Sequence, residues 1–585
     1  MPVYTPPLNE IRFVIKSLIG TEQLAALPGY EAVNEELIDA ILEEAGKVAG
    51  EIFAPLNHPG DKVGAKFQHG QVTMPDGFNA AYQAHVQGGW NALAVDEAHG
   101  GQGLPAVLGM AVQELWQSAN LPLALCTLLN QAAIELLATH GSESLKATYL
   151  PQLVSGEWTG TMNLTEPQAG SDVGAVNCKA ITSGDHYKII GQKIYISYGD
   201  HDLADNIIHF VLARLPDAPE GTRGLSLFLV PKLMPNGSTN DVQVVSIEHK
   251  LGQHASPTCT MAYGDKGGAI GYLVGELNGG IAAMFTMMNN ARIGVGVQGL
   301  GLMERALQAA MDYASTRIQS RAIDRPKAPP VAIIQHPDVK RMLLLMRSQT
   351  EAARALAYHC AWQIDVMKRT GSTEAAQRVD LLTPIVKAWL TDLANELTSL
   401  AVQIYGGMGY VEETGVAQYM RDARVLAIYE GTNGIQANDL VFRKLARDEG
   451  AAFNAMLAEI ENFLPELAAQ PGDDCAVMHA ALVQSLAHLC DSGGWLIRTA
   501  KSDPALAAAG AANFLRLMGN TLGGYLLFRS AALAQQQLAS PSADYNFLQN
   551  KLITARFYAE QVMVMNAGLV AAVMQGGRTI VAAEF

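Results

Sequence analysis

The chain is poor in charge. Asp, Glu, Lys and Arg make up 16% of its 585 residues, against about 25% in an ordinary globular protein, while 49% are apolar. Disorder is excluded, since it needs low apolar content and dense charge. Basic residues are scarcer than acidic ones, 40 against 56, for a net charge of −16. That argues against nucleic acid, whose phosphates need a basic face, but leaves room for a small anion held by a few local arginines. Cysteine is sparse: Cys126, Cys178, Cys259, Cys360, Cys475 and Cys490 form no Cys-x-x-Cys, and the 14 histidines show no zinc spacing. No disulfide framework and no metal site are expected, and a reducing compartment fits. The first residues, Met1 to Pro7, lack the basic start and apolar run of a signal peptide. No apolar run is read as reaching the roughly 18 residues that span a bilayer. The expectation is a soluble cytoplasmic protein without an integral membrane segment.

At roughly 100–200 residues per domain, the length suggests three to five domains, or one core with additions. Residues 1–35 carry Pro6-Pro7 and Pro28-Gly29 around the apolar stretch Ile11 to Ile19, an extension that packs on something else. Over 36–157 the apolar period is helical, as in Ile38, Ile41, Leu42, Ala45 and Val48. Over 158–278 it shortens to strands such as Ile207 to Val211 and Leu225 to Val230, bounded by Gly, Asp or Pro. The helical period returns over 279–450, where Ile293, Val297, Leu300, Met303, Leu307, Met311 and Ala314 share a face, and 451–585 is a further Ala/Leu-rich helical module. The fold class is mainly α with a central β-domain.

Gly294-x-Gly296-x-x-Gly299 matches a dinucleotide fingerprint, but no strand precedes it. The fingerprint works at a strand-to-helix turn, so close helix packing is the better reading. Three other segments offer chemistry. Leu164-Thr165-Glu166-Pro167-Gln168-Ala169-Gly170-Ser171-Asp172 collects hydroxyls and main-chain donors in one turn, suited to a heterocycle edge or a phosphate; it also reads as a capped surface loop. Gln403-Ile404-Tyr405-Gly406-Gly407-Met408-Gly409 lets the main chain approach a ligand closely, or simply ends a helix. Glu430, in Tyr429-Glu430-Gly431-Thr432-Asn433, follows an apolar run. It reads either as a helix-terminus carboxylate favoured by the dipole or as a base made stronger by burial.

In this order and at these separations the three motifs resemble the acyl-CoA dehydrogenase family over about residues 36–450. The added ends, with Asn433-Gly434-Ile435-Gln436-Ala437, are similar to its extended subgroup, which includes 3-(methylthio)propanoyl-CoA and bacterial fatty acyl-CoA dehydrogenases. The resemblance implies a helical N-domain, a β-barrel-like middle domain, a helical bundle and an extra C-terminal module. It implies FAD as cofactor, an acyl-CoA substrate and Glu430 as catalytic base. Met162, Leu164 and Thr165 would line the flavin, with Tyr195, Ile196 and Ser197 matching the family's Trp-Ile-Thr segment beside it. Arg317 would meet the FAD pyrophosphate of a partner subunit; Gln403, Gly406 and Gly407 would hold the adenine end of a neighbour's FAD. Thr432 would again contact FAD, while Ser171, Arg292 and Gly431 would face the substrate. There are departures: Tyr195 for Trp, Ser197 for Thr, Gln319-Ser320 followed by an insertion with Pro326, Pro329 and Pro330, Gly434 for Gln, Asn289 for an acid, and His254 for Arg, read as a structural histidine.

The implied reaction is α,β-desaturation to the trans-2-enoyl-CoA: Glu430 removes the α-proton and the β-hydrogen leaves as hydride to flavin N5. The developing negative charge on the thioester oxygen needs strong hydrogen bonds. Electron-transferring flavoprotein is the implied acceptor. A homodimer is expected, the C-terminal module covering a face that tetrameric relatives use. The rival readings are an oxygen-using acyl-CoA oxidase and a non-catalytic, nucleic-acid-associated relative; the second would want a basic stripe, whereas the cations of 451–585 are dispersed.

Overall fold

The computed structural model describes residues 3–585, which divide into two compact units: one of residues 44–105 and 115–294, the other of 3–43, 106–114 and 295–585.

The first unit is built on a sheet of eight strands: β1 (Trp158–Asn163), β2 (Lys179–Ser183), β3 (His186–Ser197), β4 (Asn206–Arg214), β5 (Leu225–Pro231), β6 (Val242–Ile247), β7 (Thr258–Tyr263) and β8 (Ala269–Val274). Their order is β8-β5-β4-β2-β3-β7-β6, β1 lies parallel on β4, and a second pairing of β8 with β3 closes the sheet on itself. β4 and β5 are buried almost throughout, as their unbroken runs of Ile, Val, Leu and Phe require. His254, as its sequence setting suggests, is structural: its ring nitrogens reach Asp61 at 3.0 Å and the Lys250 carbonyl at 3.0 Å.

The second unit is helical. Helix α1 (Gly280–Thr316) enters it from residue 295 on and packs with α2 (Pro337–Thr370) and α3 (Thr373–Tyr405). A Cβ on Gly296 would come within 2.7 Å of Val386, and one on Gly299 within 2.8 Å of the Leu390 carbonyl. The glycines of the fingerprint-like motif therefore let α1 lie directly against α3. Beyond Gly450 follow α4 (Ala451–Ala469), α5 (Asp473–Ser502), α6 (Pro504–Gln537) and α7 (Tyr545–Gln561). The N-terminal extension buries Ile11, Phe13, Val14, Ile15, Leu18 and Ile19. What it packs on is this module: Phe13 meets Phe547 edge-on at 5.6 Å and clusters with Ala534 and Leu548.

One expectation is corrected. Two helical segments, Ala106–His140 and Tyr545–Met574, are long and apolar enough to cross a membrane. Polar residues spaced through them hide the runs from a simple count. In the first, 83% of the apolar window is buried, which marks a core helix; it is also kinked at Asn120, two residues before Pro122. In the second, 33% is buried and a 3₁₀ turn at Met563–Met565 interrupts it.

Candidate active site

Three clusters collect the residues singled out by sequence. The first, in the sheet unit, is made by a bulge. Along β3 the buried positions Ile189 and Lys193 keep a two-residue period, then the register shifts between Lys193 and Ile196. Tyr195 stands at the shift with φ 60° and is 61% exposed, while Ile196 turns inward. A non-glycine residue in the left-handed region is strained, and such strain collects at functional sites. The Ile194 N–H donates to the Thr165 carbonyl at 2.9 Å, and the Thr161 hydroxyl donates to the Ser197 carbonyl at 2.7 Å. The structure thus sets Met162 to Thr165 beside Tyr195 to Ser197. Met162 and Ile196 have buried side chains and offer a ligand mainly their main chain; Leu164, Thr165 and Ser197 are half-buried.

A fully buried ion pair braces this cluster. Lys193 Nζ lies 2.8 Å from Glu166 Oε1 and donates to the Leu164 carbonyl at 2.8 Å; Glu166 also accepts the main-chain N–H of Asn177 at 2.7 Å and Cys178 at 3.0 Å. Burial alone would raise the Glu166 carboxyl, but Lys193 and these donors hold it below the usual range. Ser171 is exposed beyond this brace, and Asp172 closes the turn on the Gly174 N–H at 3.0 Å. Arg292 is buried, donates to Asn289 Oδ1 at 3.3 Å and lies 5.7 Å from the Phe285 ring.

The second cluster joins Arg317 to the loop Gln403 to Gly407. Tyr313 stacks on Tyr405 with ring centres 4.1 Å apart, and the Tyr405 hydroxyl donates to the Ala309 carbonyl. Arg317, one turn past Tyr313, is exposed, as are Gln403, Gly406 and Gly407. Nothing lies within 4 Å of a Cβ built on either glycine, so the main chain there is open to a ligand.

The third cluster is the turn that carries Glu430. Glu430 has φ 57° and Gly431 φ 85°. Thr432 caps the short helix Asn433–Asn438, its hydroxyl accepting the Ile435 N–H at 3.3 Å. Behind the turn, Lys387 Nζ donates to the Gly431 carbonyl and to Asn433 Oδ1, both at 2.8 Å, and Gln436 Nε2 donates to the Glu430 carbonyl at 3.2 Å. The Tyr429 hydroxyl donates to Gln298 Oε1. Lys387 and Gln403 stand sixteen positions apart on α3, about 24 Å of helix, so the second and third clusters are distinct stations of one unit.

Sequence reading missed Lys193 and Lys387 and gave Glu166 no role of its own within its motif. The two lysines carried a signal: Lys193 falls on the buried parity of its strand, and Lys387 interrupts an apolar helical run, Pro384 to Leu390.

Comparison with known proteins decides the family of the chain. Models of the acyl-CoA dehydrogenase N-terminal, middle and C-terminal domains match residues 62–157, 161–265 and 278–445, and one of an acetyl-CoA dehydrogenase C-terminal-like domain matches 456–584. The 3-methylmercaptopropionyl-CoA dehydrogenase of Ruegeria pomeroyi is 47% identical over 96% of both chains. The chain belongs to the acyl-CoA dehydrogenase family. A butyryl-CoA dehydrogenase of Syntrophomonas wolfei is 35% identical over 96% of this chain and 95% of its own. The Caenorhabditis elegans ACDH-11 structure in complex with C11-CoA shares the fold, with TM-score 0.80 at 22% identity over 96% of this chain and 92% of that one. The protein is thus an oxidoreductase of acyl-CoA thioesters with FAD as cofactor. Its residues fit that group: an exposed aromatic ring on a bulge beside two hydroxyl residues suits a flat heterocycle, and an exposed arginine beside an open glycine pair suits a pyrophosphate.

Proposed function

We propose that the protein removes the α- and β-hydrogens of a saturated acyl-CoA, with 3-(methylthio)propanoyl-CoA as the preferred substrate and Glu430 as the base. The observation that carries the chemistry is the Glu430 turn: a carboxylate at positive φ, its main chain tied from behind by Lys387 and Gln436. The substrate rests on the end-to-end identity with the Ruegeria relative. Bound FAD supplies the acceptor for the β-hydrogen as hydride. Glu430 takes the α-proton onto its carboxylate, and the strained, anchored turn confines that carboxylate to one approach. Thr165, Tyr195 and Ser197 present an aromatic wall and hydroxyls to the cofactor. Arg317 and Gln403, Gly406 and Gly407 serve the FAD of a second copy, which makes the active form a homodimer, and light scattering should show one. Electron-transferring flavoprotein is the acceptor, and the six free thiols suit a cytoplasmic enzyme.

The test is a dye-reduction panel from 3-(methylthio)propanoyl-CoA to long fatty acyl-CoAs, run with the wild type and Glu430→Gln. The variant should keep its flavin and lose at least about 10³-fold in kcat. Wild-type turnover in Glu430→Gln would remove the base assignment; a long-chain optimum would remove the substrate.

A further inference from the structure

Glu430 is held in a left-handed backbone conformation that is strained for a residue with a Cβ and persists only where surrounding structure over-determines it. The structure shows what does so. Lys387 is completely buried in the middle of α3. An ammonium taken out of water is costly unless several acceptors meet it. Two of its acceptors lie on the base's own turn and cap, the Gly431 carbonyl and Asn433 Oδ1. Asn433 is fixed in turn: its Nδ2 donates to Asp392 Oδ1 at 2.6 Å, to Thr391 Oγ1 at 3.0 Å and to the Ala388 carbonyl at 3.1 Å. The amide can therefore present only its oxygen to Lys387. Gln436 takes the Glu430 carbonyl from the same side. In a trans peptide the N–H points opposite to the C=O. Pulling the Glu430 and Gly431 carbonyls into the bundle thus turns the Gly431 and Thr432 N–H groups away from it, and fixes the plane from which the Glu430 side chain leaves.

The grip on Lys387 is itself rigid. Gly296 and Gly299 of α1 seat against Val386 and Leu390, one residue before it and three after. From the module, Gly519 and Gly523 of α6 seat against Trp389, whose indole N–H donates to Asn520 Oδ1 at 3.1 Å. A lysine with little freedom to move therefore lies directly behind the base.

We propose that Lys387, oriented by Asn433 and Asp392, is the positioning residue of proton abstraction: it holds the Glu430–Gly431 turn in the one conformation that aims the carboxylate at the substrate α-carbon. The inference rests on Glu430 being the base. It separates this role from cofactor and CoA binding, so loss of the anchor impairs Cα–H cleavage while leaving the substrate's grip intact.

The test uses the FAD-loaded enzyme and a 3-thia-acyl-CoA, which has an acidic α-hydrogen but no β-hydrogen to give up. Exchange of that α-hydrogen with D2O then reads proton transfer alone: the C–H bond breaks, the proton passes to the base, and a solvent deuteron returns. Lys387→Met and Asn433→Ala should each slow exchange by about tenfold or more, with KM for an oxidisable acyl-CoA within about threefold of wild type. Lys387→Arg, which keeps a cationic donor, should recover part of the rate. Wild-type exchange in the folded variants would overturn the proposal, as would exchange and KM worsening in parallel, the mark of general loosening. If Lys387→Met does not fold, Asn433→Ala, nearer the surface, decides alone. Glu430→Gln run alongside separates the two ideas: retained exchange there sinks the base, whereas loss there with wild-type exchange in the two anchor variants sinks only the anchor.

Discussion

His209 shows how far a single side chain in this fold departs from its solution chemistry. It is fully buried in β4, 5.9 Å edge-on from Tyr263, and neither ring nitrogen has a hydrogen-bond partner among the described residues. Burial, then the charges of Lys232 and His201, push its pKa down to about 3. The ring is thus neutral in the folded protein at every pH where the unfolded chain, titrating near 6.5, begins to take up a proton. The unfolded state then binds more protons, and stability falls as pH drops from about 6.5 toward 3. His85, His201 and His359 are lowered by burial in the same direction. His209→Leu removes both the unpaired nitrogens and one such proton site. It should stabilise by about 1–3 kcal/mol at pH 7, with a larger gain at pH 5, as read by urea melts at the two values. A gain that did not grow in acid would show that His209 takes up its proton in the folded protein as readily as in the unfolded chain.

At the scale of elements, the outcome turns on close packing between helices. On α1, a methyl at Gly299 would press on the Leu390 carbonyl, which is main chain and cannot rotate away. Gly299→Ala should therefore cost about 1–3 kcal/mol. Because Leu390 lies three residues past Lys387, it should also lower kcat more than it raises KM. Thermal melts and steady-state kinetics on the same sample check both parts; a lost melting temperature with unchanged kcat would uncouple the helix contact from the base. This contact also marks what was legible in the sequence. The small residues of Gly294-x-Gly296-x-x-Gly299 were readable as helix packing because no strand precedes them, but not the partner helix, which depends on pairing across about 90 residues. The strands of the sheet were legible from their short apolar runs. The bulge at Tyr195 was not, since one extra residue in a strand leaves the composition unchanged while reversing which side chains face inward. The Glu430 turn was marked by its motif, whereas its positive φ and the lysine behind it belong to tertiary structure.

At the scale of the whole chain, the two added ends, 1–35 and 451–585, meet in one charged cluster. Lys551 of α7 is buried; its Nζ bonds Glu10 of the N-terminal extension and lies 3.0 Å from Glu351 of α2, with the Phe13 and Phe547 rings each 5.2 Å away. Two carboxylates share one cation. Burial, then the charge of Glu10, push the Glu351 carboxyl up to about 7 despite Lys551. A carboxyl raised on folding binds more protons folded than unfolded between its ordinary value and the raised one. Its contribution is thus present in mild acid and lost as pH rises through about 7. Glu351→Gln, permanently neutral at the same size, should flatten that part of the profile, so that stability between pH 6 and 8.5 changes less than in the wild type. Lys551→Met leaves both carboxylates without their cation and should cost about 3–5 kcal/mol. Adding Glu10→Gln and Glu351→Gln to Lys551→Met should return most of that loss, because the penalty lies in the stranded charges and the surrounding Phe13, Ala534 and Leu548 contacts remain. If the triple variant stayed as unstable as Lys551→Met alone, the cluster would be acting through packing of the lysine stem rather than through charge. The same melts, followed by tryptophan fluorescence and by flavin release, would show whether the cofactor leaves before the fold as a whole unfolds. Flavin loss ahead of the main transition would mean that the two additions stabilise the residues that hold FAD as well as each other.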